Sequence, residues 1–170
     1  MEAIAEREGT RSEGAVAREG KYLSFSLSGE GYGLPILKVK EIIGMMPITP
    51  IPQAPEYVKG VINLRGKVIP ILELRRKFGL QESDITERTC IIVVEVEGQS
   101  GRQLIGNIVD SVSEVLNIKI GDIEATPTFA ARSNTDFILG MAKIGSTVKI
   151  LLDIEKVLSS EEIICLQDAA

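Results

Sequence analysis

The stretch G-V-I-N-L-R-G-K-V-I-P-I-L-E-L-R-R-K-F-G, Gly60 to Gly79, decides how the rest of the chain is read. Two apolar runs, Val61–Ile62 and Val68 to Leu72, flank Asn63-Leu64-Arg65-Gly66. Asn and Gly tolerate the positive φ of tight turns, so the stretch predicts a β-hairpin with an arginine at its tip. Pro70 lacks an N–H donor, which places it at a sheet edge, a strand end or a bulge. Beyond Leu72 the strand pattern stops, and E-L-R-R-K-F-G predicts a short helix closed by Gly79.

On the N-terminal side, Met46 to Pro55 holds Pro47, Pro50, Pro52 and Pro55 and reads as an extended connection. Before it, Leu23, Phe25 and Leu27 alternate with Ser24, Ser26 and Ser28, the pattern of a half-buried strand. Gly29 to Gly33 reads as the hairpin turn after it. A phosphate-binding loop would have to open a helix, but Pro35 and the branched Ile36, Val39, Ile42 and Ile43 come next. Gly60 to Val68 resembles a P-loop but has one residue too many, and Val68 stands where a magnesium-binding hydroxyl is needed. Residues 1 to 20 carry charges and small residues with no apolar period and read as a disordered tail. The remainder, 21 to 168, reads as one globular unit.

On the C-terminal side, Cys90 to Val96 is an apolar strand covered on both faces for most of its length. Leu104 to Ile120 repeats short β-type runs, Thr126 to Thr135 is a loop, and Phe137 to Ile154 gives two strands around Gly145-Ser146. Ser159-Ser160-Glu161-Glu162 has the capping signature of a terminal helix running to about Gln167.

The chain of 170 residues is 44% hydrophobic with a net charge of −5, enough apolar material for a sizeable core and no basic face for nucleic acid. It has no apolar run long enough to span a bilayer, and its N-terminus lacks the apolar segment of a signal peptide. Cys90 and Cys165 have no metal-like or redox spacing and read as reduced thiols of a cytoplasmic protein. There is no histidine, which removes Ser-His-Asp and Cys-His catalysis, imidazole metal sites and a phospho-histidine relay within this chain. No metal site or cofactor is expected.

The chain also matches itself. Gly33, Ile36, Val39, Glu41 and Ile42 correspond to Gly106, Val109, Val112, Glu114 and Val115 at one offset. Gly60, Val68, Leu72, Glu73 and Leu74 correspond to Gly140, Val148, Leu152, Asp153 and Ile154 at a slightly larger one. The repeat predicts two similar small β lobes, each too small to bury its faces alone, packed together with a groove between them.

These residues resemble the CheW chemotaxis coupling proteins, through E-G-Y-G-L-P-I-L-K-V-K-E-I-I, P-E-Y-V-K-G-V-I-N-L-R-G-K-V-I-P-I-L-E-L-R-R-K-F-G and I-V-D-S-V-S-E-V-L, in order from about Tyr22 to Glu162. The resemblance implies a mainly β fold of two tandem SH3-like five-stranded barrels and a protein without catalytic activity. It implies binding to the regulatory domain of a CheA-type histidine kinase and to the cytoplasmic tips of chemoreceptors, in membrane-associated arrays. Carried over by position, the kinase contact is Leu23, Ile36, Val39, Glu41 and Ile42, with a second, ring-forming contact at Phe129. The receptor contact is Asn63, Arg65, Gly66, Val112 and Val115. Two other readings stand beside this one: an adaptor of a CheA-like kinase with a different output, such as surface motility or biofilm signalling, and a small enzyme using carboxylates such as Glu41 and Glu73. From the residues alone, Val39, Ile42, Val112 and Val115 suit a core as well as a surface.

Overall fold

The structure, a computed structural model, describes residues 18–81, 83–98, 101–126 and 136–157. Of the expected tail, 1–20, the first 17 residues lie outside these, as do the terminal helix and Phe129, while Gly20 already belongs to a strand and pairs with Ile118. Eleven strands are described, in two sheets. One is five-stranded: β3 (Val39–Gly44), β6 (Cys90–Gly98), β7 (Gly101–Val109), β5 (Lys67–Glu73) and β4 (Val58–Leu64), in that spatial order. The other runs β8 (Ser111–Ile118), β1 (Gly20–Leu27), β2 (Glu30–Pro35), β11 (Thr147–Leu152), β10 (Ile138–Ile144) and the two-residue β9 (Ile123–Glu124). These are the two SH3-like lobes expected. Short helices come after β5 and β11: α1 (Leu74–Lys77) and α2 (Ile154–Val157).

The opening hairpin forms as read. Leu64 faces Lys67, leaving Arg65 and Gly66 as a two-residue turn, and Pro70 faces Val61. Pro70 itself lies in the middle of β5, between β4 and β7, rather than at an edge, strand end or bulge as expected. It costs no bond to β4, because Val61 exchanges its own backbone bonds with Thr49 on the far side, at 2.9 and 2.8 Å. Gly79, at φ 73°, takes the left-handed conformation that ends α1.

The internal repeat is a repeat of register. The parallel pair Ile71–Gly106 joins β5 to β7, and its counterpart Leu151–Gly33 joins β11 to β2. The hairpins β4–β5 and β10–β11 slip register at matching places, between Val58 and Gly60 and between Ile138 and Gly140. Entry to each short helix is fixed by the same backbone bond, Glu73 N–H to Tyr57 and Asp153 N–H to Phe137, both 2.7 Å.

Repeats and lobes do not coincide, however, and here the sequence reading needs correction. Each repeat lends its first hairpin to the other's sheet: β1–β2 complete the sheet of β8–β11, while β6–β7 complete that of β3–β5. The cause is the connection. Pro35 is extended, and the 3-10 turn Ile36–Lys38 is too short to carry the chain across the sheet, so β3 starts a new one. Asp110 alone makes the return crossing between β7 and β8.

The exchange creates one core between the lobes. It holds Leu23, Phe25, Leu27 and Leu34 of one sheet with Val58, Leu72, Ile92, Val94 and Val96 of the other, and Leu74, Ile154 and Val157 of the helices. Phe25, Tyr32, Phe78 and Phe137 stack in series through it, with centroids 5.7, 6.1 and 5.0 Å apart. Smaller clusters fill each lobe, around Ile69 and Ile91 in one and around Tyr22 and Leu151 in the other. Strand β1 is therefore more covered than its alternation suggests: Tyr22 and Ser24 are buried as well as Leu23, Phe25 and Leu27. Residues Ile91 to Val94 are buried on both faces, as read.

Gly106 sits where β5 meets β7. A Cβ there would lie 2.5 Å from Ile71 Cδ1 and 2.8 Å from Ile91 Cγ2, both in fully buried side chains. Gly106→Ala should lower unfolding free energy by about 1–3 kcal/mol through overpacking. Gly33→Ala, whose nearest contact would be Leu151 Cδ2 at 2.9 Å, should cost less. Urea denaturation of the two variants checks the order.

Candidate functional site

At the tip of β4–β5, Arg65 and Gly66 have φ values of 52° and 90°. Two positive φ values in a two-residue hairpin loop define a type I′ turn, which favours Asn-Gly. Arginine in the left-handed region costs about 1–2 kcal/mol. Asn63 Oδ1 accepts the Gly66 N–H at 2.8 Å and steadies the turn. The Arg65 side chain is 69% exposed, and its Nη2 donates to Glu41 Oε1 on β3. Exposed pairs contribute about 0–1 kcal/mol, so this one offsets the turn strain at most in part. The matching turn of the other lobe carries Gly145, at φ 60°, and so meets the same positive φ at that position without strain, although Ser146, unlike Gly66, has no positive φ.

The Arg65–Glu41 pair joins residues that the sequence reading divides between two partners. Around it on the first lobe, Ile42 is 44% exposed. Val39 is half-buried against the shared core. Ile36, in the 3-10 turn, is also half-buried. Leu23 is 3% exposed and lies in the core, so it can support β1 but offers no surface.

On the second lobe, Val112 is half-buried against the shared core and Val115 is 48% exposed. Val39 matches Val112 and Ile42 matches Val115, so the two sets occupy the same places in the two lobes. The hydrogen bonds and ion pair described at Arg65 stay within its own lobe, whereas Val112 and Val115 belong to the other sheet.

Sequence reasoning missed part of this surface. Val68 and Val148, matched in the repeat, are exposed on β5 and β11, and Leu37 is 93% exposed beside Ile36. A shallow pocket opens there, lined by Tyr22, Pro35, Ile36, Leu37 and Leu139. The repeat alignment already contains the Val68–Val148 match. The signal for Leu37 is an apolar residue placed after Pro35 and Ile36 in a short link.

Two charged groups lie deeper. Arg75 donates to Asp110, and that hydrogen bond, against some desolvation, holds its pKa above the ordinary arginine value. Glu73, at the mouth of α1, has an Oε1 without a hydrogen-bond partner, and burial raises its pKa above the ordinary 4.5 despite Lys59 and Arg75 nearby. A carboxyl whose folded pKa is raised contributes stability below its unfolded pKa and loses that contribution as pH rises through the folded value. Glu73→Gln should therefore raise the melting temperature at pH 7, with the gain shrinking toward pH 4. A variant no more stable than the parent at pH 7 would show that the charge is well solvated.

The CheW-like domain family matches residues 21–162, spanning both sheets. The chain is 41% identical over 150 residues to the chemotaxis protein CheW of Klebsiella aerogenes, covering 88% of each. It is 36% identical over 140 residues to CheW of Rhizobium meliloti, covering 82% of this chain and 88% of that one. The crystal structure of the scaffolding protein TtCheW from Thermoanaerobacter tengcongensis superposes with a TM-score of 0.76 at 36% identity, over 86% of this chain and 98% of that one. Because the match takes in both crossed-over lobes and the turn that carries Arg65, the chain belongs to the CheW-like domain family.

Proposed function

We propose that the protein is a non-catalytic chemotaxis adaptor, coupling the cytoplasmic tips of chemoreceptors to a CheA-type histidine kinase. Residues 21–168 act as one unit, in the cytoplasm, recruited to membrane-associated receptor arrays. The protein is monomeric alone and joins rings within the array. The observation that carries the reading is family membership over nearly the whole chain, together with an arginine kept in a strained, exposed turn where the sister lobe uses glycine. No helix among the described residues is long and apolar enough to cross a membrane.

On this reading Val39, Glu41 and Ile42, with Ile36, meet the kinase, and Leu23 holds the neighbouring strand from beneath. Phe129 serves the ring-forming contact. Asn63, Arg65 and Gly66, with Val112 and Val115, meet the receptor. A helical receptor tip suits such a surface, because helices dock through spaced apolar anchors and Arg65 adds donors for carboxylates or exposed carbonyls. The exposed valine and isoleucine side chains supply area, and the arginine supplies orientation.

Arg65→Asn separates binding from folding. Asparagine suits the left-handed turn, so losing the Glu41 pair and relieving strain should leave stability unchanged or raised, by up to about 1 kcal/mol. The same variant should fail to assemble the receptor–adaptor–kinase complex and to restore chemotaxis in cells lacking the protein. Denaturation curves, co-sedimentation with receptor and kinase, and kinase activation measure these together. An intact complex with normal kinase activation would overturn the receptor assignment.

A further inference from the structure

Arg75 occupies the junction of the lobes. Its side chain is 10% exposed. Nε donates to Asp110 Oδ1 at 2.8 Å and Nη2 to Asp110 Oδ2. Nη1 donates to Ser28 Oγ at 2.9 Å and to the Gln81 carbonyl. The Ser28 N–H also donates to Asp110 Oδ2, at 2.7 Å. Ser28 belongs to the β1–β2 turn of the second lobe, Arg75 and Gln81 to the first, and Asp110 is the one-residue crossing between them. The guanidinium thus directs two hydrogen bonds to the crossing residue, a third to the turn of the second lobe and a fourth to its own lobe.

The other crossing is held in the matching way with the charges exchanged. Glu155 of α2 accepts from Lys38, the last residue of the 3-10 turn, at 2.5 Å. Arg75 and Glu155 stand at equivalent positions in the repeat. In one case the cation is on the helix and the anion on the crossing, in the other the reverse.

Each crossing leads directly into a candidate binding strand. Val112 and Val115 lie on β8, immediately after Asp110, while Arg65 sits at the tip of the hairpin whose second strand runs into α1. Val39, Glu41 and Ile42 lie on β3, immediately after Lys38. A partner touching residues on both lobes requires the strands to be set relative to one another, and a bidentate Arg–carboxylate pair fixes direction as well as distance.

We propose that Arg75 and Asp110 are positioning residues for partner assembly: their pair sets β8 against the hairpin of Arg65, and Lys38–Glu155 sets β3 against the second lobe. What is positioned rests on the adaptor reading above; the geometry itself is a property of the free protein. A merely structural role would alter stability alone.

The test uses the full chain with Cys90→Ser and Cys165→Ser, spin-labelled through Glu97→Cys on the first lobe and Asn117→Cys on the second. The variants are Arg75→Lys, which keeps the charge but loses the planar fork, Lys38→Glu, Glu155→Lys and the last two combined. Distances between the labels are read without partners, and assembly with receptor and kinase is read at a temperature where circular dichroism shows each variant folded. Arg75→Lys and the single reversals should broaden or shift the distance distribution and weaken assembly by about tenfold or more. The double reversal should restore both. An unchanged distribution in the folded variants, or a double reversal that restores neither reading, overturns the proposal. If Arg75→Lys does not fold, the Lys38–Glu155 arm, with both side chains partly exposed, decides it. Failure of the unsubstituted chain to bind either partner counts against the adaptor reading, whereas an unchanged distance counts against the positioning pairs.

Discussion

Leu23, Phe25 and Leu27 of β1 and Ile92, Val94 and Val96 of β6 occupy matching positions of the two repeats and lie in one core. The rest of the molecule depends on that shared layer. A small β lobe has too much surface for its volume to stand comfortably alone, and exchanging hairpins removes the difficulty by giving both lobes a common interior. The first sheet is drawn from one continuous stretch, β3 to β7, while the second is assembled from its two flanks. The two repeats are therefore bound by strand pairing, and the two lobes by packing and by the chain that crosses between them. Displacing one from the other means opening the core where the four aromatic rings stack.

Sequence signals are legible where the chemistry is local. The tight turn, the helix closed by Gly79 and the strand Cys90 to Val96, buried on both faces from Ile91 to Val94, each arise from a few adjacent residues. The repeat is also legible, and even the acidic pairs Glu41/Glu114 and Glu73/Asp153 fall at equivalent places in the two halves. What the residues do not reveal is which hairpin joins which sheet. That choice is made by Pro35 and a three-residue link, through reach and direction rather than through hydrophobic pattern. For the same reason β1 looks half-buried in sequence, because only the exchange places Tyr22 beneath β8–β11.

The candidate site is legible only in part, for a related reason. Ile42 and Val115 alternate like any core strand residues, and period two cannot say which face meets solvent when both faces of most strands are covered. Leu23 shares that ambiguity and resolves the other way, into the core. The Glu41–Arg65 pair can be imagined from opposite charges. Arg75–Asp110 cannot, because the partners are brought together by the parallel pairing of β5 with β7 and by the short crossing beyond it.

The two halves of the chain supply their own comparison. Where architecture alone is at stake, they agree: Gly33 and Gly106 admit the same close strand approach, and the register slips recur at the same places. Where they disagree without changing the backbone, architecture is not the reason for the residue. The first turn position takes a positive φ in both halves, filled by Gly145 in one and by a strained Arg65 in the other, and the helix position that holds Arg75 in one half holds Glu155 in the other. A repeated fold built for stability would settle on glycine in both turns, since the arginine costs more than its exposed ion pair returns. Keeping it is a departure from local consistency of the kind that binding sites make and cores do not. The asymmetry also gives the molecule direction: two lobes of one shape present different charges, so partners that recognise the common shape can still tell one lobe from the other.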